Sequence, residues 1–208
     1  MPRHSAAEAA ATREAIVARA VEVASVDGLE GITIGRLAGD LDMSKAGIVG
    51  QFGSKAELQR AALDEASEIF RREVWLPAAN EPAGLARLLT ICDCWIRHIA
   101  GSAFPGGCFW TSASIEYDAR GGPLHAQVQE GLRRWRGTLR RDVKAAIASG
   151  ELPADTDPDQ VVFELQGLVM GLNQALQLFG DRRAVGRARR AVRRILDLEE
   201  PVAARRAR

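Results

Sequence analysis

The cysteine and histidine side chains are the residues that could support metal or redox chemistry. Cys94 and His98 lie four residues apart, so on a helix they would share a face and could ligate a metal ion together. No pattern of carboxylates or further histidines accompanies them, and Cys92 would point to another part of the helix. Cys108 has no recognisable neighbour that would lower the pKa of its thiol. These residues therefore predict no metal site, no cofactor and no redox centre.

Catalytic residues are equally sparse. His4, His98 and His125 are the only histidines, no nucleophile motif occurs, and no glycine-rich loop could cradle a phosphate. An odd, sparse set of three cysteines does not form a disulfide framework. An enzyme built on a helical bundle is thus the least favoured class, and no catalytic residue is predicted.

Hydroxyl and ammonium groups near the N-terminus have a spacing that suits phosphate binding instead. Thr33, Ser44 and Ser54 each occupy an expected N-cap position. The first N–H groups of a helix have no partner within it and can bind a phosphate. Lys45 and Lys55 directly follow two of these caps. They could be ordinary solvated lysines, but their place beside helix N-termini favours contact with a polyanion.

Three predicted helices would position these groups. Apolar residues at helical spacing predict a first helix over about residues 7–26. Two short helices follow over about residues 33–41 and 44–51, joined by a tight turn at Asp42-Met43. Such a pair, packed on a longer first helix, forms a helix-turn-helix, in which the second short helix lies in the major groove of DNA.

Helical periodicity continues through the rest of the chain. Ser54 and Glu57 form a capping-box pattern that predicts a fourth helix ending near Leu76. Pro82 stands where a first helical position is expected. No strand pattern occurs over any length, so the expected fold is all-α with about nine helices. The remaining predicted helices span about residues 82–101, 108–118, 123–149, 157–180 and 183–196.

Composition places the chain among ordinary globular proteins. Of its 208 residues 47% are hydrophobic and 26% charged, with a formal net charge of +1. Binding to nucleic acid must therefore come from a local patch. The longest apolar stretch, 161–179, contains five polar residues and predicts a buried helix and not a membrane span. The N-terminus has no apolar run typical of a signal peptide, so the expected compartment is the cytoplasm.

Aromatic and polar side chains in the C-terminal part are candidates for a small-molecule site. Aromatic residues in such patterns more often belong to the core, and this alternative stays open for each of them. The predicted inward faces carry no cationic cluster, so a mainly apolar ligand is favoured. The candidate residues are Trp95, His98, Trp110, Ser114, Tyr117, Trp135, Phe163, Gln166, Met170 and Asn173.

The helix predicted over 157–180 is apolar on nearly all sides and therefore needs two packing partners. Gly167 and Gly171 would allow a neighbouring helix to approach closely. Which face would meet a second chain stays open. The arginine-rich segment 182–194 has an apolar opposite face, so its charges are interpreted as a solvated surface.

Several short motifs occur in order over residues 12–63. They are Thr12-Arg13-Glu14-Ala15-Ile16, Gly28, Thr33-Ile34-Gly35-Arg36-Leu37-Ala38, Met43-Ser44-Lys45-Ala46-Gly47-Ile48 and Phe52-Gly53-Ser54-Lys55-Ala56-Glu57-Leu58. Together they resemble the tetracycline-repressor (TetR) family. Gly106-Gly107-Cys108-Phe109, followed by Glu116, also resembles a sequence in the C-terminal domains of some members.

The resemblance implies a homodimer, a palindromic operator in double-stranded DNA and, usually, repression relieved by a small ligand. It also implies that the helix over 157–180 takes part in a four-helix dimer interface. The residues implied to contact phosphates or base edges are Thr33, Arg36, Ser44, Lys45 and Lys55, with Ala46, Gly47, Val49 and Gln51 on the reading helix.

Two positions depart from the family pattern. Asp42 stands where the family usually has glycine, and Val49 stands where an aromatic residue is usual. Gly50 also lowers the helix propensity of the reading helix by roughly 1 kcal/mol relative to alanine. Gln51 is the side chain best suited to read a base, since it could bind adenine in a bidentate manner.

The sequence thus predicts a helix-turn-helix domain over 1–53, a ligand-binding and dimerisation domain over 54–200 and a disordered tail over 201–208. The expected function is a dimeric repressor released by a small, mainly apolar ligand. The alternative is a DNA-binding regulator without a small-molecule inducer, either an activator or a regulator controlled by a protein partner.

Overall fold

The computed structural model describes residues 6–101 and 104–198, and within these ranges it contains nine α-helices and no β-strand. The predicted all-α fold and its number of helices are therefore confirmed. His4 and the tail predicted over 201–208 lie outside the described residues. The helices are α1 (Ala6–Asp27), α2 (Ile34–Asp40), α3 (Lys45–Phe52), α4 (Lys55–Phe70), α5 (Leu85–Ala100), α6 (Phe109–Glu116), α7 (Pro123–Ala148), α8 (Pro158–Gln177) and α9 (Ala184–Ile195).

Side-chain caps begin four of these helices. Thr33, Ser44, Ser54 and Asp157 each have extended backbone and accept a hydrogen bond from an N–H group in the first turn of the helix that follows. Such a cap satisfies one of the N–H groups that a helix leaves without an internal partner. Local sequence therefore sets these boundaries.

Two boundaries differ from the prediction. The helix expected to begin at Pro82 begins at Leu85, because the amide of Leu85 is capped by the distant carboxylate of Glu151 at 3.2 Å. The helix expected to run to Leu76 keeps α geometry only to Phe70, and a π-helical turn and a short 3₁₀ turn continue it to residue 78.

The described chain divides into two compact units. The first comprises residues 6–71 and 104–132, and therefore holds α1 to α4, α6 and the first part of α7. Within it α1 packs on α2, α3, α4 and α6. Its core contains the fully buried Ile16, Leu37 and Ile48.

The second unit comprises residues 72–101 and 133–198, with α5, the rest of α7, α8 and α9. Here α5 packs on both α8 and α9, and its residues Leu88 and Ile91 are fully buried. The predicted functional boundary between residues 53 and 54 stays a prediction. Among the described helices, none combines the length and apolar character needed to cross a membrane.

Candidate nucleic-acid interface

The turn between α2 and α3 brings the predicted DNA-binding residues together. Thr33 Oγ1 accepts from the amide of Arg36 at 3.1 Å, and Ser44 Oγ accepts from the amide of Gly47 at 3.0 Å. Between the two helices Asp42 has a φ of +52°, and the amide of Met43 donates to the carbonyl of Ala38 at 2.8 Å. Asp42 thus occupies the left-handed turn conformation.

The reading helix α3 is held by its inner face. Ile48 is fully buried and Phe52 is 7% exposed. The guanidinium of Arg13 lies 4.1 Å from the centre of the Phe52 ring and donates to the carbonyl of Gln51 at 2.6 Å. The C-terminal end of α3 is therefore tied to α1, a role of Arg13 that sequence reasoning did not assign.

The opposite face of α3 is open to solvent. Lys45, Ala46 and Val49 are exposed, whereas Gly47 and Gln51 are half-buried. The side chain of Lys45 lies beside Gly35 of α2, where a Cβ would be at an ordinary contact distance of 3.5 Å from Lys45 Cε. Apart from Lys45, the exposed side chains on this face are short.

Arg36 and Lys55 carry charges that are paired within the chain. Arg36 Nη1 lies 2.5 Å from Asp27 Oδ2, at the C-terminal end of α1. Lys55 Nζ donates to Glu30 Oε2 at 2.8 Å and to the Glu30 carbonyl at 3.1 Å. The hydrogen bond from Lys55 is the main reason that the pKa of the Glu30 carboxyl lies below its ordinary value. Both cations are therefore paired with carboxylates of the same unit.

The first unit also has an acidic side. A groove of about 570 Å³ between α1 and α4 is lined by four carboxylates and one guanidinium over an apolar floor. Such a surface repels DNA phosphates, which leaves α3 and its neighbouring helix N-termini as the side suited to DNA. The groove is lined by Arg13, Glu14, Val17, Ala18, Ala61, Asp64, Glu65 and Glu68.

Three predicted ligand-binding residues lie on or beside α6 in the first unit. Trp110 is half-buried, and its ring lies against Gly131, where a Cβ would come within 2.5 Å of it. Ser114 Oγ donates to the carbonyl of Thr111 at 2.8 Å. Tyr117 is buried and donates to Glu30 Oε1 at 3.1 Å, and burial, with this bond, raises the pKa of its phenol.

The other seven lie in the second unit. Trp95 and Trp135 form an edge-to-face pair with ring centres 5.3 Å apart. His98 is buried, with Nδ1 2.6 Å from Glu73 Oε2. Phe163 and Met170 are 67% and 43% exposed in this single chain, so they do not line a pocket within it. Gln166 and Asn173 are half-buried on α8.

The cysteines are buried thiols. Burial raises the pKa of Cys92 to about 12, and Arg97 Nη2 lies 3.0 Å from Cys94 Sγ. Within residues 6–101 and 104–198, no group of three or more histidine, cysteine or carboxylate side chains is arranged to hold a metal ion.

Comparison with solved structures shows which proteins share this fold. A TetR transcriptional regulator from Chloroflexus aurantiacus is 24% identical to this chain, with a TM-score of 0.84. The alignment covers 93% of this chain and 98% of the regulator. The regulator CifR, as a cysteine variant bound to a 26-bp operator, is 24% identical over 93% of this chain and 98% of its own, with a TM-score of 0.69. AibR, bound to isovaleryl coenzyme A and operator DNA, is 18% identical over 88% of this chain and 97% of its own, with a TM-score of 0.70.

Sequence comparison identifies the family. Curated proteins give no match. Residues 84–192, just over half of the chain, match the family described as "Tetracyclin repressor-like, C-terminal domain". This match lies in the C-terminal part, whereas most of the motifs that first indicated the family lie within residues 12–63, so the two observations are independent. The chain belongs to the TetR family and is a DNA-binding transcriptional regulator, not an enzyme.

Proposed function

We propose that the protein is a dimeric repressor that binds a palindromic operator through α3 and is released by a small, mainly apolar ligand. The observation that carries the DNA-binding part is the α2–turn–α3 arrangement, in which a buried Ile48 and a capped N-terminus present an open outer face. A regulator of this kind acts in the compartment that holds DNA, which supports the expected cytoplasmic location.

In the proposed complex, α3 lies in the major groove and α2 crosses the backbone. Lys45 and Lys55 stand in the first turns of α3 and α4, where the N-terminal N–H groups also favour a phosphate. Gln51 can reach a base edge from the end of α3. Two of the three lysines in the chain therefore lie at this surface. Thr33, Arg36, Ser44, Ala46, Gly47 and Val49 complete the proposed contact surface.

The dimer interface is proposed on the outer face of α8. Phe163 and Met170 lie along this face with Gly167 and Gly171, and Leu178 and Phe179 at its end are 68% and 70% exposed. A row of large apolar side chains exposed in one chain is typical of an interaction surface. A two-fold symmetric dimer would cover it. To bind both halves of a palindromic operator, the two reading helices would be about 34–36 Å apart, one turn of DNA, or somewhat more if the operator is overwound or long. Phe163 and Met170 are therefore reassigned from the ligand site to this face.

The ligand-responsive part rests on similarity and on aromatic residues that the sequence singled out in each unit, Trp110 in the first and Trp95 and Trp135 in the second. AibR binds isovaleryl coenzyme A together with operator DNA, which supports a ligand for this chain as well. One observation favours the alternative without an inducer. The polar groups of Ser114, Tyr117 and His98 already contact Thr111, Glu30 and Glu73 within the chain.

Selection of bound duplexes from a random DNA pool tests the DNA-binding part directly. We expect a palindromic sequence, bound with steep salt dependence. Lys55→Ala should weaken binding to all sequences alike and reduce the salt slope by about one unit, whereas Gln51→Ala should change the preferred sequence. Lys144→Ala, which removes the third lysine from α7, is the matched control and should change neither. Unchanged affinity and slope in Lys55→Ala would contradict the proposed docking.

A screen of small molecules for release of the selected duplex tests the ligand part. Trp110→Ala should retain DNA affinity and lose release by any molecule that the screen finds. If no molecule releases the wild-type protein from the duplex, the alternative of a regulator without a small-molecule inducer is favoured.

A further inference from the structure

The last residue of α6 makes an unusual connection to the segment between α1 and α2. Glu116 Oε2 accepts from the amide of Leu29 at 2.6 Å, and Oε1 accepts from the amide of Glu30 at 2.9 Å. The Glu116 side chain is 12% exposed. Both carboxylate oxygens therefore cap the 3₁₀ turn over Leu29–Gly31, and the two amides that they bind lie 87 and 86 residues earlier in the chain.

Two glycines near this contact have no space for a side chain. Gly28 has a φ of +77°, and a Cβ there would lie 2.6 Å from Glu116 Oε2. At the start of the same segment, the amide of Gly106 donates to Ser25 Oγ at 3.2 Å, and a Cβ on Gly106 would lie 1.8 Å from the Ser25 carbonyl oxygen. The motif that begins at Gly106 and ends at Glu116 is thus attached at both ends to the C-terminal end of α1 and the turn after it.

The 3₁₀ turn over Leu29–Gly31 also contacts Lys55, a residue of the proposed DNA interface. Glu30 Oε2 and its carbonyl accept from Lys55 Nζ, and Tyr117 donates to Glu30 Oε1. Gln59 Nε2, buried on α4, donates to the Leu29 carbonyl at 2.8 Å. An ammonium group has three N–H donors. Two N–H groups of Lys55 donate to Glu30, and the third is left for a DNA phosphate.

We propose that Glu116 is a positioning residue for operator binding: by capping Leu29 and Glu30 it fixes Glu30, and Glu30 fixes the ammonium of Lys55 for a phosphate. Without this cap the two amides lose a charged acceptor, and Glu30 no longer has a single position. The ammonium of Lys55 must then be ordered when DNA binds, and affinity falls by the free energy of that ordering.

The experiment is a double-mutant cycle on affinity for the selected duplex, measured by fluorescence anisotropy. Glu116→Gln keeps the size of the side chain and replaces one acceptor oxygen by an NH₂ group. We expect it to weaken binding about five- to tenfold in the wild-type background and less than twofold in the Lys55→Ala background. Asp118→Asn, an equal change of charge at an exposed position two residues away, should leave affinity unchanged in both.

A merely structural role would give another pattern. Equal loss of affinity in both backgrounds would show that Glu116 acts through general stability, and would overturn the proposal. So would unchanged affinity in Glu116→Gln. The inference rests on the proposed DNA interface, but different results would contradict the interface and the inference. If Lys55→Ala itself does not weaken binding, the interface is wrong. If Lys55→Ala weakens binding and Glu116→Gln does not, only this inference is wrong.

Tyr117→Phe provides a second variant should Glu116→Gln fold poorly, as judged by circular dichroism and thermal unfolding. It keeps the buried ring and removes only the hydroxyl that donates to Glu30. We expect a loss of affinity of about two- to threefold that disappears in the Lys55→Ala background. A loss of the same size in both backgrounds would overturn the proposed path through Glu30.

Discussion

At the scale of single residues, Asp42 closes the turn between α2 and α3 with a φ of +52°. This conformation costs an ordinary residue roughly 1–2 kcal/mol, and less for aspartate, whose short side chain can bond locally. Glycine avoids that cost but adds roughly 0.4–1 kcal/mol of chain entropy to the unfolded state. We therefore expect Asp42→Gly to stabilise the protein by about 0.5 kcal/mol.

Denaturation by urea measures this difference. Asp118→Gly is the control, because Asp118 is exposed and its φ is not positive. Glycine there should be neutral or destabilising. A destabilised Asp42→Gly variant would indicate that the Asp42 side chain itself contributes to the turn.

Glu30 gives a dependence on pH with a definite sign. Its pKa is lower in the folded protein, chiefly because of the hydrogen bond from Lys55. Its stabilising effect is therefore complete above the unfolded value of about 4.3 and is lost as the pH falls through the lower folded value. The pair is about half exposed, so the effect is small and screened by salt.

We expect the free energy of unfolding of wild type to exceed that of Glu30→Gln by a constant amount near neutral pH, and this difference to shrink below a pH of about 4.3. Urea unfolding at a series of pH values measures the difference. A gap that widens on acidification would contradict the direction of the pKa shift.

At the scale of helices, local sequence predicted those boundaries that local chemistry determines. The caps at Thr33, Ser44 and Ser54 act within three residues, so their sequence patterns were sufficient. The start of α5 was missed because its cap, Glu151, lies 66 residues away. The same reason applies to the site: Lys55 could be found from its place after Ser54, whereas its link through Glu30 to Glu116 could not.

A contact between residues far apart in the chain also links α5 to α7. Arg87 Nε and Nη2 donate to Asp142 Oδ1 at 2.9 and 2.7 Å, and the Asp142 side chain is 1% exposed. Removal of one partner of a buried pair leaves a charge without compensation, so Arg87→Ala should cost about 3 kcal/mol. Asp142→Asn in the same chain should recover part of this loss.

Arg60→Ala is the control for Arg87→Ala. It removes an exposed helix pair with Glu57 and should cost about 0.5 kcal/mol or less. Similar losses of unfolding free energy in the two variants would show that the Arg87–Asp142 pair contributes no more than a surface pair.

At the scale of the whole molecule, the exposed face of α8 determines the expected assembly. Phe163 is 67% exposed in the single chain, so Phe163→Glu leaves the folded chain nearly unaffected and places a charge in the proposed interface. We expect this variant to be a monomer by light scattering at micromolar concentration and to bind the operator far more weakly. Val26→Glu, a change on α1 at a residue that is 60% exposed, should remain a dimer. A stable wild-type monomer would contradict the proposed interface.

The compact unit that contains α2 and α3 is built from two separate stretches of the chain, 6–71 and 104–132. A ribosome adds about 5–20 residues per second in order, so Leu29 is synthesised well before Glu116 exists. Until the later stretch emerges, the turn after α1 lacks its carboxylate cap and α1 lacks one of its packing partners, α6. The helix-turn-helix is therefore among the first segments to be translated but cannot reach its final packing until about two thirds of the chain has been made.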